Sequence, residues 1–250
     1  FMGGNRMGGG GSQGPFKDSL LHRTGLEDSA TITFRYLDTS RFYFLDSSVN
    51  DFYRRWPVPW THVFLGNTGT ASRSLLFQPR MQAGWDHGMR AFDAYMLNEK
   101  DVKFYNTTRP YTQLAYVLGA KAEQKISVLH TQNIRYNWNF SFYYNLINSP
   151  GIFRNQRTHH NNYLFNTWYT SPKRRYTAYF IALSNRIGAT ENGGVADLSQ
   201  LQDLPAFSTR FNLPTNLGGT AFESQTFLSN AINTGNQYNN SQLTWRHHYD

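Results

Sequence analysis

Residues 136–151 read YNWNFSFYYNLINSPG, and two kinds of side chain alternate through them. Trp138, Phe140, Phe142, Tyr144 and Leu146 share one parity, while Asn137, Asn139, Ser141 and Asn145 share the other. Successive side chains of a β-strand leave opposite faces, so this is a strand with one aromatic face and one face of amides and hydroxyls. A half-buried strand of a water-soluble sheet also alternates, but usually with Val, Ile and Leu inside and Lys and Glu outside. Here the polar face carries no charge and the apolar face is mostly aromatic. Two solvents can take that aromatic face, a protein core or a lipid bilayer. Tyr143 falls among the amides, placed either to narrow a lumen or to hydrogen-bond across it.

Outward from this strand the alternation recurs. PYTQLAYVLG (110–119) and EQKISVLHTQN (123–133) are extended runs joined by GAKA (119–122). After the connection SPGIFRNQ (149–156), THHNNYLFNTWYT (158–170) is a fourth run and RYTAYFIALSNRI (175–187) a fifth, with the short turn SPKRR (171–175) between them. Each run spans about 10 to 13 residues, near what a tilted strand needs to cross a bilayer and longer than the usual globular strand. Connections of a few residues between successive runs predict an antiparallel meander. Residues 188–237 then carry Gly, Pro and Asn throughout. A loop of that length is uncommon inside a compact soluble domain but usual on the external side of an outer-membrane barrel. YNNSQLTWRHHYD (238–250) opens a sixth run with no partner after it, so the barrel is expected to be incomplete in this sequence.

Composition agrees with strands that divide two solvents. Aromatics make up 16% of the 250 residues, yet only 16% are charged and the mean hydropathy is negative. Strands with a lipid side and a water side give that mixture without any long apolar run. No stretch of about 18 apolar residues occurs, which excludes a transmembrane helix but not a barrel. The absence of cysteine excludes disulfides and thiolate metal sites and suits a periplasm-facing compartment. The sequence opens at Phe1 without a charged n-region and an apolar h-region, so any secretory signal is expected to have been removed or to lie outside it. A net charge of +8 raises nucleic acid as a partner, but the arginines are scattered between aromatics without a recognition motif. No nucleic-acid partner is expected.

Residues 1–16 are a Gly-rich flexible leader, too poor in apolar side chains to offset the entropy of ordering. Residues 17–110 form a pre-barrel region. There ATITFRYLD predicts a strand, LDSSVNDFYRRWPVPW a short helix capped by Asp46 or Ser47 and stopped by Pro57 and Pro59, and FLGNTGTASRSLLF a tight turn between extended runs. DHGMRAFDAYMLNEKDV reads as a further short helix. Residues 111–250 hold the barrel strands.

The succession RYLD, LDSSVNDF, LGNTG, FDAY, VKFYNTTRPYTQLAYVLGAKAEQKISVLHTQNI, SPGIFRNQRTHHNN and ATENGGV resembles the putative porin family of Bacteroidetes outer membranes, from about Lys17 to Asp250. The resemblance implies an all-β fold, an antiparallel meander forming part of a transmembrane β-barrel, behind a Gly-rich leader and a short pre-barrel region. It also implies a bacterial outer-membrane location and a chain that is the N-terminal portion of a longer barrel. It supplies no substrate.

Within that frame Asn137, Asn139, Ser141 and Asn145 are expected to face the lumen, and Trp138, Phe140, Phe142, Tyr144 and Leu146 the lipid. Trp168, Tyr169, Tyr176, Arg174 and Arg175 are expected at the membrane interface. Arg135, Arg154, Arg157 and Lys173 also sit at strand ends or connections, where headgroup phosphates and solvent meet them. A ring of Arg and Lys at a pore mouth favours anions, but end-of-strand placement already accounts for these. No catalytic residue, cofactor or metal is assigned. His159 and His160 are adjacent, as are His247 and His248, and neighbours on a strand face opposite ways, so neither pair converges on one ion. Ser127, Ser141 and His130 offer a hydrolase dyad, but no Gly-x-Ser-x-Gly elbow accompanies them. The function these features favour is a channel for passive diffusion of small solutes, with lipid, solutes and a homo-oligomeric or envelope partner as its contacts. The alternative is a barrel with a structural or docking role in an envelope or secretion complex.

Overall fold

The computed structural model describes residues 30–39, 41–45, 50–77, 79, 84, 88–202, 210–218 and 234–249. The leader expected over 1–16, and the caps expected at Asp46 and Ser47, lie outside the described residues. In chain order the elements are β1 (Ile32–Tyr36), β2 (Tyr43–Phe44), α1 (Phe52–Arg55), β3 (His62–Phe64), β4 (Ser72–Ser74), β5 (Lys103–Thr107), β6 (Tyr111–Leu118), β7 (Gln124–Arg135), β8 (Trp138–Ser149), β9 (Thr158–Thr170), β10 (Tyr176–Thr190) and β11 (Gly235–Tyr249). The protein is all-β and antiparallel.

Strands β6 to β11 form one six-stranded meander with β6 and β11 at its edges, and the sheet does not close on itself. The six runs of alternating residues are these six strands. The last pair extends further than the side-chain pattern suggests, because Gly188–Thr190 continue the ladder against residues 235–237 through backbone groups alone. The described part of the connection between them folds back onto the same rim. Asn155 donates through Nδ2 to Thr215 Oγ1 at 2.9 Å, and Lys121 Nζ lies 4.3 Å from the centre of the Phe211 ring.

The N-terminal region lies against one face of this sheet rather than only in front of it. It contains a three-stranded sheet, β2-β1-β5, and the hairpin β3-β4. The short helix α1 is capped by Asp51, whose carboxylate accepts from Tyr53 N at 3.0 Å, and it ends before Pro57. The second expected helix is instead two 3-10 turns, Asp93–Tyr95 and Glu99–Asp101, separated by extended residues. Strand β5 gives no alternation because Phe104, Tyr105 and Thr107 are all buried, so neither of its faces is wet.

Three small apolar clusters join the two parts. Val58 and Tyr95 meet Ile147 and Ile187; Val102 and Phe104 meet Ile181 and Leu183; Phe34 and Tyr105 meet Leu129. Each cluster takes residues from the N-terminal region and from the same face of the six-stranded sheet. That face is called the inner face below.

Candidate functional site

Register assigns every side chain of the sheet to a face. The outer face carries Leu114, Tyr116 and Leu118 on β6, Ile126 and Val128 on β7, Trp138 to Leu146 at even positions on β8, Tyr163, Phe165 and Tyr169 on β9, Phe180 on β10, and Leu243, Trp245 and Tyr249 on β11. Leu114, Tyr116, Leu243 and Trp245 are more than half exposed. An exposed apolar face that runs across six strands marks a surface for lipid or for another protein.

The apolar band is inclined to the hydrogen-bonded rows. The row of Tyr116 runs through Ile126, Leu146, Asn161 and Arg186 to Asn239 on β11. On β11 the band centres on Trp245, six residues beyond Asn239. Between β6 and β11 lie five steps across the six-stranded sheet, so at about 4.8 Å per step and about 3.3 Å per residue the strands cross the band at about 40° from its normal. Strands of membrane barrels tilt by about 35–45°.

The inner face is the amide face, and it is built into a ladder. Five side chains of β9 address backbone carbonyls of the N-terminal region. Thr158 Oγ1 donates to Thr68 O at 2.6 Å and His160 Nε2 to Gly69 O at 2.7 Å. Asn162 Nδ2 donates to Tyr95 O at 2.6 Å, Asn166 Nδ2 to Lys103 O at 3.0 Å, and Trp168 Nε1 to Tyr105 O at 2.6 Å. The tautomer of His160 follows from its partners, since Gly188 N–H donates to Nδ1 at 3.3 Å and leaves the proton on Nε2. On β10 the Asn185 amide grips Leu97 twice, accepting from its N–H at 2.9 Å and donating to its carbonyl at 3.0 Å. On β7 Asn133 Oδ1 accepts from Thr107 N at 2.9 Å while its Nδ2 donates to Asn106 Oδ1 at 2.6 Å. From Asn67, which donates to Ser149 Oγ at 3.1 Å near one rim, to Thr107 near the other, the segment is thus held along the full depth of the sheet. Each such bond contributes about 1 kcal/mol net, and losing one partner of a buried pair costs more.

Close approach is needed where the segment meets β9. Gly69 has φ +92°, and a Cβ there would stand 2.7 Å from Thr158 Oγ1 and 2.8 Å from His160 Nε2. Only glycine fits both the backbone and the space.

The residues singled out from sequence fall as follows. Asn139, Ser141 and Asn145 are buried on the inner face. Asn139 Nδ2 donates to Asn133 Oδ1 at 2.6 Å and so orients the side chain that holds Thr107, while Ser141 Oγ donates to Thr131 Oγ1 at 3.1 Å. Asn137 lies in the β7–β8 turn and donates to Thr170 O at 2.6 Å. Tyr143 is on the inner face, where its phenol oxygen accepts from Ser127 Oγ at 3.3 Å. Trp138, Phe140, Phe142, Tyr144 and Leu146 share the outer face, on which Leu146 is buried by its neighbours. Tyr169 is on the outer face and Trp168 on the inner one, its indole turned to Tyr105. Tyr176 opens β10, and Lys173, Arg174 and Arg175 are exposed in the turn before it. Arg135 is exposed at the end of β7, whereas Arg157 is buried at the opposite rim. His159 and His160 face opposite sides, as do His247 and His248. His130 is on the outer face, bonded to Thr112 Oγ1 at 2.8 Å, and Ser127 and Ser141 are on the inner one. That separation keeps the histidine from both hydroxyls.

Sequence reading alone missed the ladder's partners, which lie within residues 67–69 and 95–107, together the inner segment. A period-two run of Thr158, His160, Asn162, Asn166 and Trp168, all able to donate, is the signal that marks one side of it.

A sheet with an aromatic outside, a polar and filled inside, and strands tilted to the apolar band is the wall of a membrane β-barrel. No helix among the described residues is long and apolar enough to cross a membrane. The chain belongs to the putative porin family, whose sequence pattern matches residues 28–250. That membership supports a porin-like outer-membrane role in general. No curated protein and no solved structure matches it.

Proposed function

We propose that this chain builds the wall of a bacterial outer-membrane barrel that passes small solutes by passive diffusion, with its N-terminal region seated inside and setting the width of the passage. The observation that carries the reading is the inverted polarity of the six-stranded sheet, apolar and exposed outside, amide-rich and buried inside. In lipid, unpaired backbone at the edges of β6 and β11 costs several kcal/mol per group, roughly, so the working form is a closed barrel. Lipid meets the outer face, and solutes move past the inner one without any reacting group. The turn at 171–175 is assigned to the periplasmic rim and the long β10–β11 connection to the outside, by length. Protease access to residues 190–235 on intact cells tests that orientation.

A second reading is favoured by one observation, the seating of residues 67–69 near one rim and 95–107 toward the other on the inner face. A barrel filled in this way also suits docking of a homo-oligomeric or envelope partner, with no flux. Planar-bilayer recording of the full chain separates the two. Discrete single-channel steps support diffusion, and a barrel inserted without current rejects it in favour of docking.

A further inference from the structure

The segment does not fill the inner side completely. Between the N-terminal region, the inner faces of β7 to β9 and the open edge of β6, where it reaches Leu114 and Tyr116, lies a cavity of about 620 Å³. Among the described residues its charged lining is Arg55, Lys103, Lys125 and Asp101, three cations against one carboxylate. The cations come from different parts of the fold. Arg55 ends α1, Lys103 opens β5 with its ammonium 4.6 Å from the centre of the Phe34 ring, and Lys125 rises from β7 and donates to the backbone carbonyl of Arg55. This last bond ties the wall to the N-terminal region at the cavity itself. The remaining polar lining includes Ser127, Tyr143 and Asn166, neutral groups that solvate either sign of charge.

Charges of one sign in a cleft with low-dielectric walls concentrate their field in the water between them. Rings of Arg and Lys in a pore select anions for that reason. These cations are distinct from Lys173, Arg174 and Arg175, which are exposed in the β9–β10 turn. We propose that the cavity is the selectivity-setting part of the passage and that it admits small anions, carboxylate- or phosphate-bearing solutes among them, in preference to cations. The proposal rests on the passive-diffusion reading and names the solute class of that same route.

The test is the reversal potential of the full chain in planar bilayers under a KCl gradient at pH 7. Chloride is expected to be more permeant than potassium. A single cation about 8 Å from a passing ion changes its occupancy by about twofold or more. Lys103→Gln and Lys125→Gln are therefore each expected to lower the chloride-to-potassium permeability ratio by about twofold or more. Asp101→Asn removes an exposed carboxylate and is expected to raise the ratio by a similar factor, in a variant whose folding is not at risk. A channel that prefers potassium, or whose ratio ignores all three variants, overturns this proposal and leaves passive diffusion standing. An inserted barrel without current overturns both.

Discussion

Asn185→Leu should loosen the inner segment without disturbing the wall. Asn185 is fully buried on β10, and its amide satisfies both the N–H and the carbonyl of Leu97, at 2.9 and 3.0 Å. Leucine keeps the branched shape, though it is larger, and neither donates nor accepts, so two backbone groups of the segment lose their partners at once. An unmet buried donor or acceptor costs about 1–3 kcal/mol. Water entering from the nearby cavity reduces that, giving about 2–3 kcal/mol for the pair. At about 1.4 kcal/mol per decade, the released population of the segment should rise by roughly 30- to 150-fold. Hydrogen–deuterium exchange with mass spectrometry on the detergent-solubilised protein reads this directly, as faster exchange across residues 92–107. Ser184→Leu is the control, since Ser184 is the next residue on the strand but sits on the outer face, where it meets Ser241 at 3.0 Å. The two variants should differ by at least an order of magnitude in the exchange of 92–107. Equal exchange would refute the claim that the amide ladder holds the segment in place.

Gly69→Ala should weaken the same seating at its rim end by about 1–3 kcal/mol, because the new methyl meets Thr158 and His160 on a left-handed backbone. Limited proteolysis within residues 65–72 should accelerate, whereas Gly66→Ala, with open space around its Cβ position, should strain only its own backbone. Phe142→Arg on the outer band should cost about 2–4 kcal/mol and lower the folded, heat-modifiable fraction on gels, while Phe142→Leu should be tolerated. Equal folded fractions for these two would place Phe142 away from lipid. Burial pushes the phenols of Tyr95 and Tyr105 well above the ordinary tyrosine range, and Tyr95 also donates to Thr70 O at 2.8 Å. The folded state therefore disfavours the phenolate, and this contribution to stability is intact below the unfolded value of about 10 and lost as pH rises above it. After a jump to about pH 11, tyrosinate absorbance should grow in a fast exposed phase and a slow phase tied to release of the segment. Tyr95→Phe should remove part of the slow phase, and a single fast phase would contradict the burial.

The strands of the wall were legible because each has an apolar side and a polar side, and parity records that division in the side chains. Tyr111–Leu118 alternates in exposure throughout and Trp138–Leu146 alternates in side chain except at Tyr143, whereas Lys103–Thr107 does not alternate, because protein covers both its sides. Parity says which residues share a face and is silent on what meets that face. Asn139 and Asn145 carry the same signature whether they line water or are sealed under a segment. Trp168 shows how far the signal reaches: as an aromatic near a strand end it suggests the interface, but its parity with Asn162 and Asn166 already sets it on the amide side. The inner segment itself was hidden for a different reason. β9 holds it by the carbonyls of Thr68, Gly69, Tyr95, Lys103 and Tyr105, and a carbonyl is the one acceptor that every residue supplies. Recognition through the backbone asks little of the side chains it recognises, so the donors on β9 leave a pattern and their partners leave almost none. Gly69 is the exception, because there the backbone comes too close for a Cβ.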